Sequence, residues 1–382
     1  MEMKTVHIGD LGEIITGSTP SKKNPDNYGD FALWIKPTDM DENNKYTRET
    51  EEMFSERSAE ACRSRLIPKD SILVPCIGTV GTKLTMSPID CFTNQSVNAI
   101  VPNDDYDNHY VYYLIRNFLP ALKGYNKGTA SGREYIAKSA FENIEICVHE
   151  DLAIQHKIGK ILSAYDDLIE NCRKQIALLE EAVNRTFVLR FGHQRVNSTL
   201  DELAVNVGKG ISKKQRDNYL YYTPIDCLPK KSLAYTQYKP VSEAQSSLQT
   251  YKANDIIFGA MRVYFHKVCI AQNSGITRNT CIILNSKDVN YWAYLVSLIF
   301  NSSTILWASQ NSKEGTTMPY ITWDILKLMP IYLPSNDEAK EFSKIIVPYL
   351  KLITVLAKTI ENTTEIRDRL LPKLISGEIN VE

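Results

Sequence analysis

Neither a Gly-x-x-x-x-Gly-Lys-Ser/Thr phosphate loop nor a Gly-x-Ser-x-Gly nucleophile elbow occurs in the chain. That argues against ATP hydrolysis and against elbow-type serine chemistry. The eight cysteines are scattered without Cys-x-x-Cys spacing, and the six histidines form no metal-ligand pair. Reduced thiols in a cytoplasm suit this usage better than a disulfide framework or a zinc site, so no bound metal is expected. The start, Met1-Glu2-Met3-Lys4, lacks the apolar run of a signal peptide. The longest apolar stretch, Trp292 to Trp307, is broken by Ser297, Asn301, Ser302 and Ser303, and no membrane segment is expected. A net charge of −1 argues mildly against a protein that coats nucleic acid by bulk attraction. Any such contact would have to rest on a local basic face or on charge supplied by a partner.

What is present is a text written twice. Ser21-Lys22-Lys23 returns as Ser212-Lys213-Lys214, and Pro37-Thr38-Asp39 as Pro224-Ile225-Asp226. Asp70-Ser71-Ile72 pairs with Asp255-Ile256-Ile257, and Thr93-Asn94-Gln95-Ser96 with Thr277-Arg278-Asn279-Thr280. Further on, Tyr113-Leu114 pairs with Tyr294-Leu295 and Tyr135-Ile136 with Tyr320-Ile321. The order never changes and the period is too long for a solenoid, so the chain is a domain duplication carrying two similar sites.

Each copy has a mixed first part and a helical second part. Phe31–Ile35, Ser71–Val74 and Val97–Val101 read as strands between Pro and Gly turns, and Tyr110–Phe118 as a short helix. Residues 1–150 and 193–336 are therefore expected to be two similar α+β domains. Between Leu152 and about Phe191 there is no proline and one glycine, Gly159. Apolar residues recur there at Ile158, Ile161, Tyr165, Leu168, Cys172 and Leu179, with a second row at Leu162, Ile169, Ile176 and Val183. A matching seam runs through Phe342, Ile346, Tyr349, Ile353, Leu356, Ile360 and Leu370, with Pro348 inside it. Pro348 predicts a kink or a split-off first turn. The helical regions, 151–192 and 337–382, are expected to pair as a long antiparallel coiled-coil-like spacer with pseudo-two-fold symmetry.

Three pairs of loops carry the candidate contacts. Gly17–Lys23 offers Ser18, Thr19, Lys22 and Lys23, and Gly208–Lys214 offers Lys209, Lys213 and Lys214. Small residues, hydroxyls and ammonium groups of this kind suit phosphate. Gly78–Lys83, with Thr79 and Lys83, stands against Arg262–Lys267, with Arg262, Tyr264, His266 and Lys267. Asn94 and Gln95 stand against Arg278 and Asn279. Asn and Gln read adenine edges and Arg reads guanine, so aligned frames with divergent side chains fit two different sequence readers. The third pair holds Lys127 and Arg133 in one copy and Lys313 and Thr316 in the other. Two other readings stay open at this level. Recurring Asp39, Asp70 and Asp226 permit a metal-dependent nuclease, although strand caps and turns explain them better. A coiled-coil adaptor binding only proteins would not need two divergent basic loop sets. Asn24-Pro25-Asp26-Asn27-Tyr28 has a faint likeness to an amino-methyltransferase loop but reads as a surface turn.

Over essentially its full length the chain resembles the specificity subunit of type I restriction-modification systems. The resemblance rests on the ending Leu370-Leu371-Pro372-Lys373-Leu374-Ile375-Ser376-Gly377-Glu378-Ile379 and on Ile154 to Ser163 followed by Leu168-Ile169. Gly315-Thr316-Thr317 with Ile331-Tyr332-Leu333-Pro334 is similar to the end of a target-recognition domain, where the first copy departs with Gly128-Thr129-Ala130. The resemblance implies two target-recognition domains, each reading one half of a split target in double-stranded DNA, with the helices as a ruler for the unread spacer. It further implies docking of two modification subunits, which use S-adenosylmethionine to methylate adenine, and of restriction subunits, which use ATP and Mg. The chain itself would then be non-catalytic and need no cofactor.

Overall fold

The computed structural model describes residues 2–125, 134–313 and 318–381. The chain divides into two compact units, one of residues 1–170 with 364–382 and one of residues 171–363.

In the first unit, β1 (Gly12–Thr16), β2 (Ile72–Pro75), β3 (Thr85–Met86) and β4 (Val97–Pro102) form an antiparallel sheet in the order β1-β4-β2-β3. β2 is apolar throughout and buried on both faces, as a central strand must be. Helix α1 (Asn108–Leu122), capped by Asp107 accepting from the Tyr110 amide at 2.7 Å, adds Tyr110, Val111, Tyr113 and Leu114 to the core. Beside the sheet, Trp34, Phe54 and Phe92 stack with ring centroids 5.4 and 5.1 Å apart. There Trp34–Ile35 runs parallel to Phe92–Thr93.

The second unit repeats this plan. β5 (Ala204–Asn206), β6 (Ile256–Gly259), β7 (Val268–Ile270) and β8 (Cys281–Ser286) pair antiparallel in the order β5-β8-β6-β7, followed by α3 (Trp292–Phe300). Ile72 faces Ile100 in one sheet and Ile256 faces Leu284 in the other, so the copies superpose at an offset of 184 residues. Two pairings inferred from matching letters shift under this register. Asp255 stands where Ser71 stands, each carbonyl accepting from the next strand's amide (Ala271 and Ser87). The counterpart of Asp70 is Asn254, and both hold a left-handed backbone, φ 62° and 70°. Tyr294 matches Tyr110 rather than Tyr113, because α1 and α3 begin at equivalent residues, Asn108 and Trp292.

Two helices of 40 residues each follow the domains: α2 (Leu152–Phe191) and α4 (Asn336–Ile375). Within the first unit the start of α2 packs on the end of α4, Ile154, Ile158 and Leu162 sharing a core with Leu371, Leu374 and Ile375. Within the second, the end of α2 meets the start of α4 through Phe187, Phe191 and Phe342. The helices are therefore antiparallel. The buried seam of α2 includes Ile158, Leu162, Ile169, Cys172, Ile176 and Val183, in steps of three, four and seven. Ile161 and Leu168 of the expected first row are exposed instead. Gly159 is required where α1 abuts α2, since a Cβ there would lie 2.5 Å from Asp107 Oδ1 and 3.0 Å from the Tyr110 nitrogen. Pro348 does not split α4, which runs through it unbroken. The proline sits on an exposed face, while buried Phe342, Ile346 and Leu350 hold the flanking turns.

Candidate nucleic-acid interface

The loops that carry the candidate residues hang on a hydrogen-bonded frame common to both units. The Cys76 amide donates to Ser96 O at 2.7 Å and the Ala260 amide to Thr280 O at 2.9 Å. The Ile136 amide donates to Cys76 O, and the Ile321 amide to Ala260 O. Ile77 bridges Tyr135 as Met261 bridges Tyr320. Loops far apart in sequence are thereby fixed beside one another. In the first unit Gly17 lies so close to Thr93 that a Cβ would fall 2.2 Å from its carbonyl oxygen. That contact lets Thr19 donate its hydroxyl to Gln95 Oε1.

The frame brings some expected residues together. In the second unit Arg262 and Lys267 from one loop and Arg278 and Thr280 from another line a cleft of about 520 Å³. Lys230, Lys239, Asp226 and Glu243 complete its charged wall, with Met261, Met318 and Tyr222. Cations outnumber acids there, so an anionic or electron-rich ligand edge is favoured. Lys230 and Lys239 carry no local sequence signal beyond the short basic run Pro229-Lys230-Lys231. Arg278, Asn279 and Arg262 are exposed.

Other expected residues are held by the protein itself. Lys83 Nζ donates to Pro37 O at 3.0 Å, and its counterpart Lys267 donates to Ile225 O at 2.8 Å. Both lysines clamp the turn that carries Asp39 or Asp226, so each of these candidate DNA contacts is already hydrogen-bonded within the protein. His266 is 6% exposed and its Nε2–H donates to Phe300 O at 2.9 Å. Burial holds its pKa below the ordinary histidine value, so the ring is a neutral anchor rather than a surface contact. Lys22 pairs with Glu52 at 3.3 Å and Ser18 Oγ lies 3.3 Å from Cys62 Sγ. Asn94 is partly committed, its Oδ1 accepting from the Ser96 amide at 3.1 Å, and the Thr79 hydroxyl is buried.

The first basic loops are built alike at their surface. Asn24 N donates to Ser21 O and Gln215 N to Ser212 O, each opening a 3₁₀ turn that ends in Asp-Asn-Tyr. The stretch Asn24–Tyr28 is thus a surface turn. Lys23, Lys209 and Lys214 are exposed, and Lys213 Nζ donates to Gln245 Oε1 at 2.7 Å. Lys313 pairs its backbone with Tyr320. Lys127, Arg133 and Thr316 lie outside the described residues.

All eight cysteines are free, and burial pushes the Cys76 and Cys91 thiols up to about 12. Among the described residues, no helix is long and apolar enough to cross a membrane.

Comparison with known proteins extends this picture. The family described as type I restriction modification DNA specificity domain matches residues 1–181 and again 196–365. The chain is 27% identical to the MjaIX specificity subunit of Methanocaldococcus jannaschii, over 98% of this chain and 93% of that protein. It is 34% identical to the HindI specificity subunit of Haemophilus influenzae over 47% of this chain and 38% of that one. Among solved structures, the S subunit of the type I restriction-modification system of M. genitalium shares the fold. Its TM-score is 0.60 at 15% identity, with 98% of this chain and 96% of that one covered.

Proposed function

The chain belongs to the type I restriction-modification DNA specificity family, and we propose that it reads a bipartite target in double-stranded DNA, one half with each recognition domain. One observation carries this reading. Two domains keep the same sheet order and loop frame, while the side chains on the loops diverge, Gly78 against Arg262 and Asn94 against Arg278. A conserved frame with altered hydrogen-bonding edges fits recognition of two different base sequences. Exposed Lys23, Lys209, Lys213 and Lys214 supply phosphate contacts, and Arg262, Arg278 and Asn279 supply base contacts.

The paired helices serve as the ruler between the two half-targets and as the seat for two modification subunits. Ile161 and Ile345, 184 residues apart, are each 37% exposed, and Leu168 and Leu352, the same distance apart, are each 43% exposed. Equivalent apolar residues left in water on both helices support two copies of one partner. The modification subunits would bring S-adenosylmethionine for adenine methylation, and restriction subunits would bring ATP and Mg chemistry. The chain itself takes no cofactor and is non-catalytic. Methylation-aware sequencing of the host genome with and without this gene tests the reading. A split motif whose methylation disappears with the gene is the expected result, and an unchanged methylome overturns it.

A further inference from the structure

The loop between Arg262 and His266 differs from its counterpart in a way that base reading by arginine does not require. In the first unit the chain turns through two glycines, Gly78 at φ 80° and Gly81 at φ 66°, and Val80 between them is buried. In the second unit the left-handed positions are Arg262 at φ 48° and His266 at φ 51°, and the enclosed turn is one residue longer. The apolar plug is now Val263, which is 2% exposed, and the residue at the position of Val80 is Tyr264, 56% exposed. Side chains with a Cβ are strained in this backbone region, and such strain is kept where it presents a functional group.

The turn is rigidly mounted. The Arg262 amide donates to Pro319 O and the Gly259 amide to Lys267 O, fixing the backbone on both sides. His266 anchors the far end to Phe300 O. Phe265 braces the Tyr264 ring, with centroids 4.8 Å apart, and Lys230 Nζ lies 4.5 Å from the Phe265 ring centre. Phe265 also lines the cationic cleft with Arg262 and Arg278. An exposed aromatic ring braced by a residue that lines a cleft rich in cations has the chemistry to enter a stacked base step.

We infer that Tyr264 is an aromatic wedge that enters one base step of the second half-target, unstacking it and bending the duplex there. At the equivalent position of the first domain Val80 is buried in a glycine turn, so the two half-targets are engaged unequally at this loop. The inference rests on the DNA-reading proposal and specifies how one of its two sites works.

The full chain is used to select a duplex from a randomised library, and that duplex, labelled at both ends with dyes for energy transfer, is the probe. Tyr264→Ala is expected to lose about tenfold in affinity for it, within the range for one base–aromatic stack. The bend reported by energy transfer is expected to fall as well, while Tyr264→Trp retains both. Binding to random duplex should be unchanged in all variants. Retention of bend and affinity by Tyr264→Ala, with Arg278→Ala impaired, overturns the wedge and leaves the DNA reading standing. Equal loss on selected and random duplex also overturns it, as does a loss of modification-subunit binding with DNA binding intact. A wild-type chain that selects no duplex overturns the DNA reading and the wedge together.

Discussion

Arg367 of α4 forms a buried ion pair with Asp166 of α2, and the Tyr113 hydroxyl donates to the same carboxylate at 2.5 Å. Lys45, also buried, donates to Ser163 at 2.8 Å and meets His109 at 3.1 Å in the same region. At the equivalent junction of the second unit the residues are Val183 and Leu350, with Leu233 and Ala293 in the places of Lys45 and His109, all fully buried and apolar. One end of the helix pair is therefore joined to its domain by a polar network, and the other by hydrocarbon packing.

Breaking this network from one side should be costly. Arg367→Met leaves the Asp166 carboxylate buried without its cation, at an expected cost of about 3–5 kcal/mol. Replacing the group together, with Tyr113→Phe, Asp166→Leu and Arg367→Leu, should recover part of that loss, because the Asp166 carboxylate is then no longer buried without its cation, although buried Lys45 loses that carboxylate as a charge partner. Urea unfolding of the three proteins checks this, and a triple variant no more stable than the single one would contradict it.

Glu180 supplies a pH-dependent counterpart. It is buried on α2, accepting from Ser232 Oγ at 2.7 Å and the Leu233 amide at 2.6 Å, and burial pushes its pKa up to about 7. A carboxyl whose folded pKa exceeds the unfolded value binds more protons in the native state between those two pH values. Stability should therefore fall as pH rises from about 4.5 to about 7 and level off above, by on the order of 3 kcal/mol from this group. Glu180→Gln keeps an acceptor oxygen and should flatten that part of the profile, with higher stability at pH 8. Denaturant midpoints across pH 5 to 8 for both proteins measure it.

Base readers and phosphate contacts should separate by sequence dependence. Arg278→Ala is expected to lose ~1–3 kcal/mol of discrimination at one position of the second half-target. Lys214→Ala should weaken all sequences alike and flatten the salt slope by about 0.9. Lys83→Met should do neither, because Lys83 is spent on Pro37 O, and it should lower stability instead. Binding titrations at several salt concentrations, on selected and random duplexes, distinguish the three.

The ruler can be lengthened. An insertion at Glu180–Glu181 would displace the buried Glu180, so the better points are those where the helices pass between units, Glu170–Asn171 and Thr363–Thr364. Four helical residues added to each rod lengthen it by ~6 Å. A duplex rises ~3.4 Å per base pair, so the unread spacer should grow by about one pair, two at most. Both half-targets should stay unchanged. An active variant methylating the original spacing would show that the helices do not set it.

The duplication, both long helices and the α+β character of each domain were legible in the amino-acid sequence. Each rests on local rules that act along the chain: an absence of helix breakers from Leu152 to Phe191, apolar residues at three- and four-residue steps, and turn residues between short apolar runs. Tertiary structure decided which face of each helix is buried, because Ile161 and Leu168 match the spacing as well as Leu162 and Ile169 do. It also decided the register between copies, where hydrogen-bond partners moved Asp255 by one residue and Tyr294 by one helical turn from their matching letters. Lys83, Lys267 and His266 bear polar side chains that suit a DNA surface, yet each is spent on a backbone carbonyl 34 to 46 residues away in sequence. No local pattern encodes such a partner, because only the folded chain brings the carbonyl within reach.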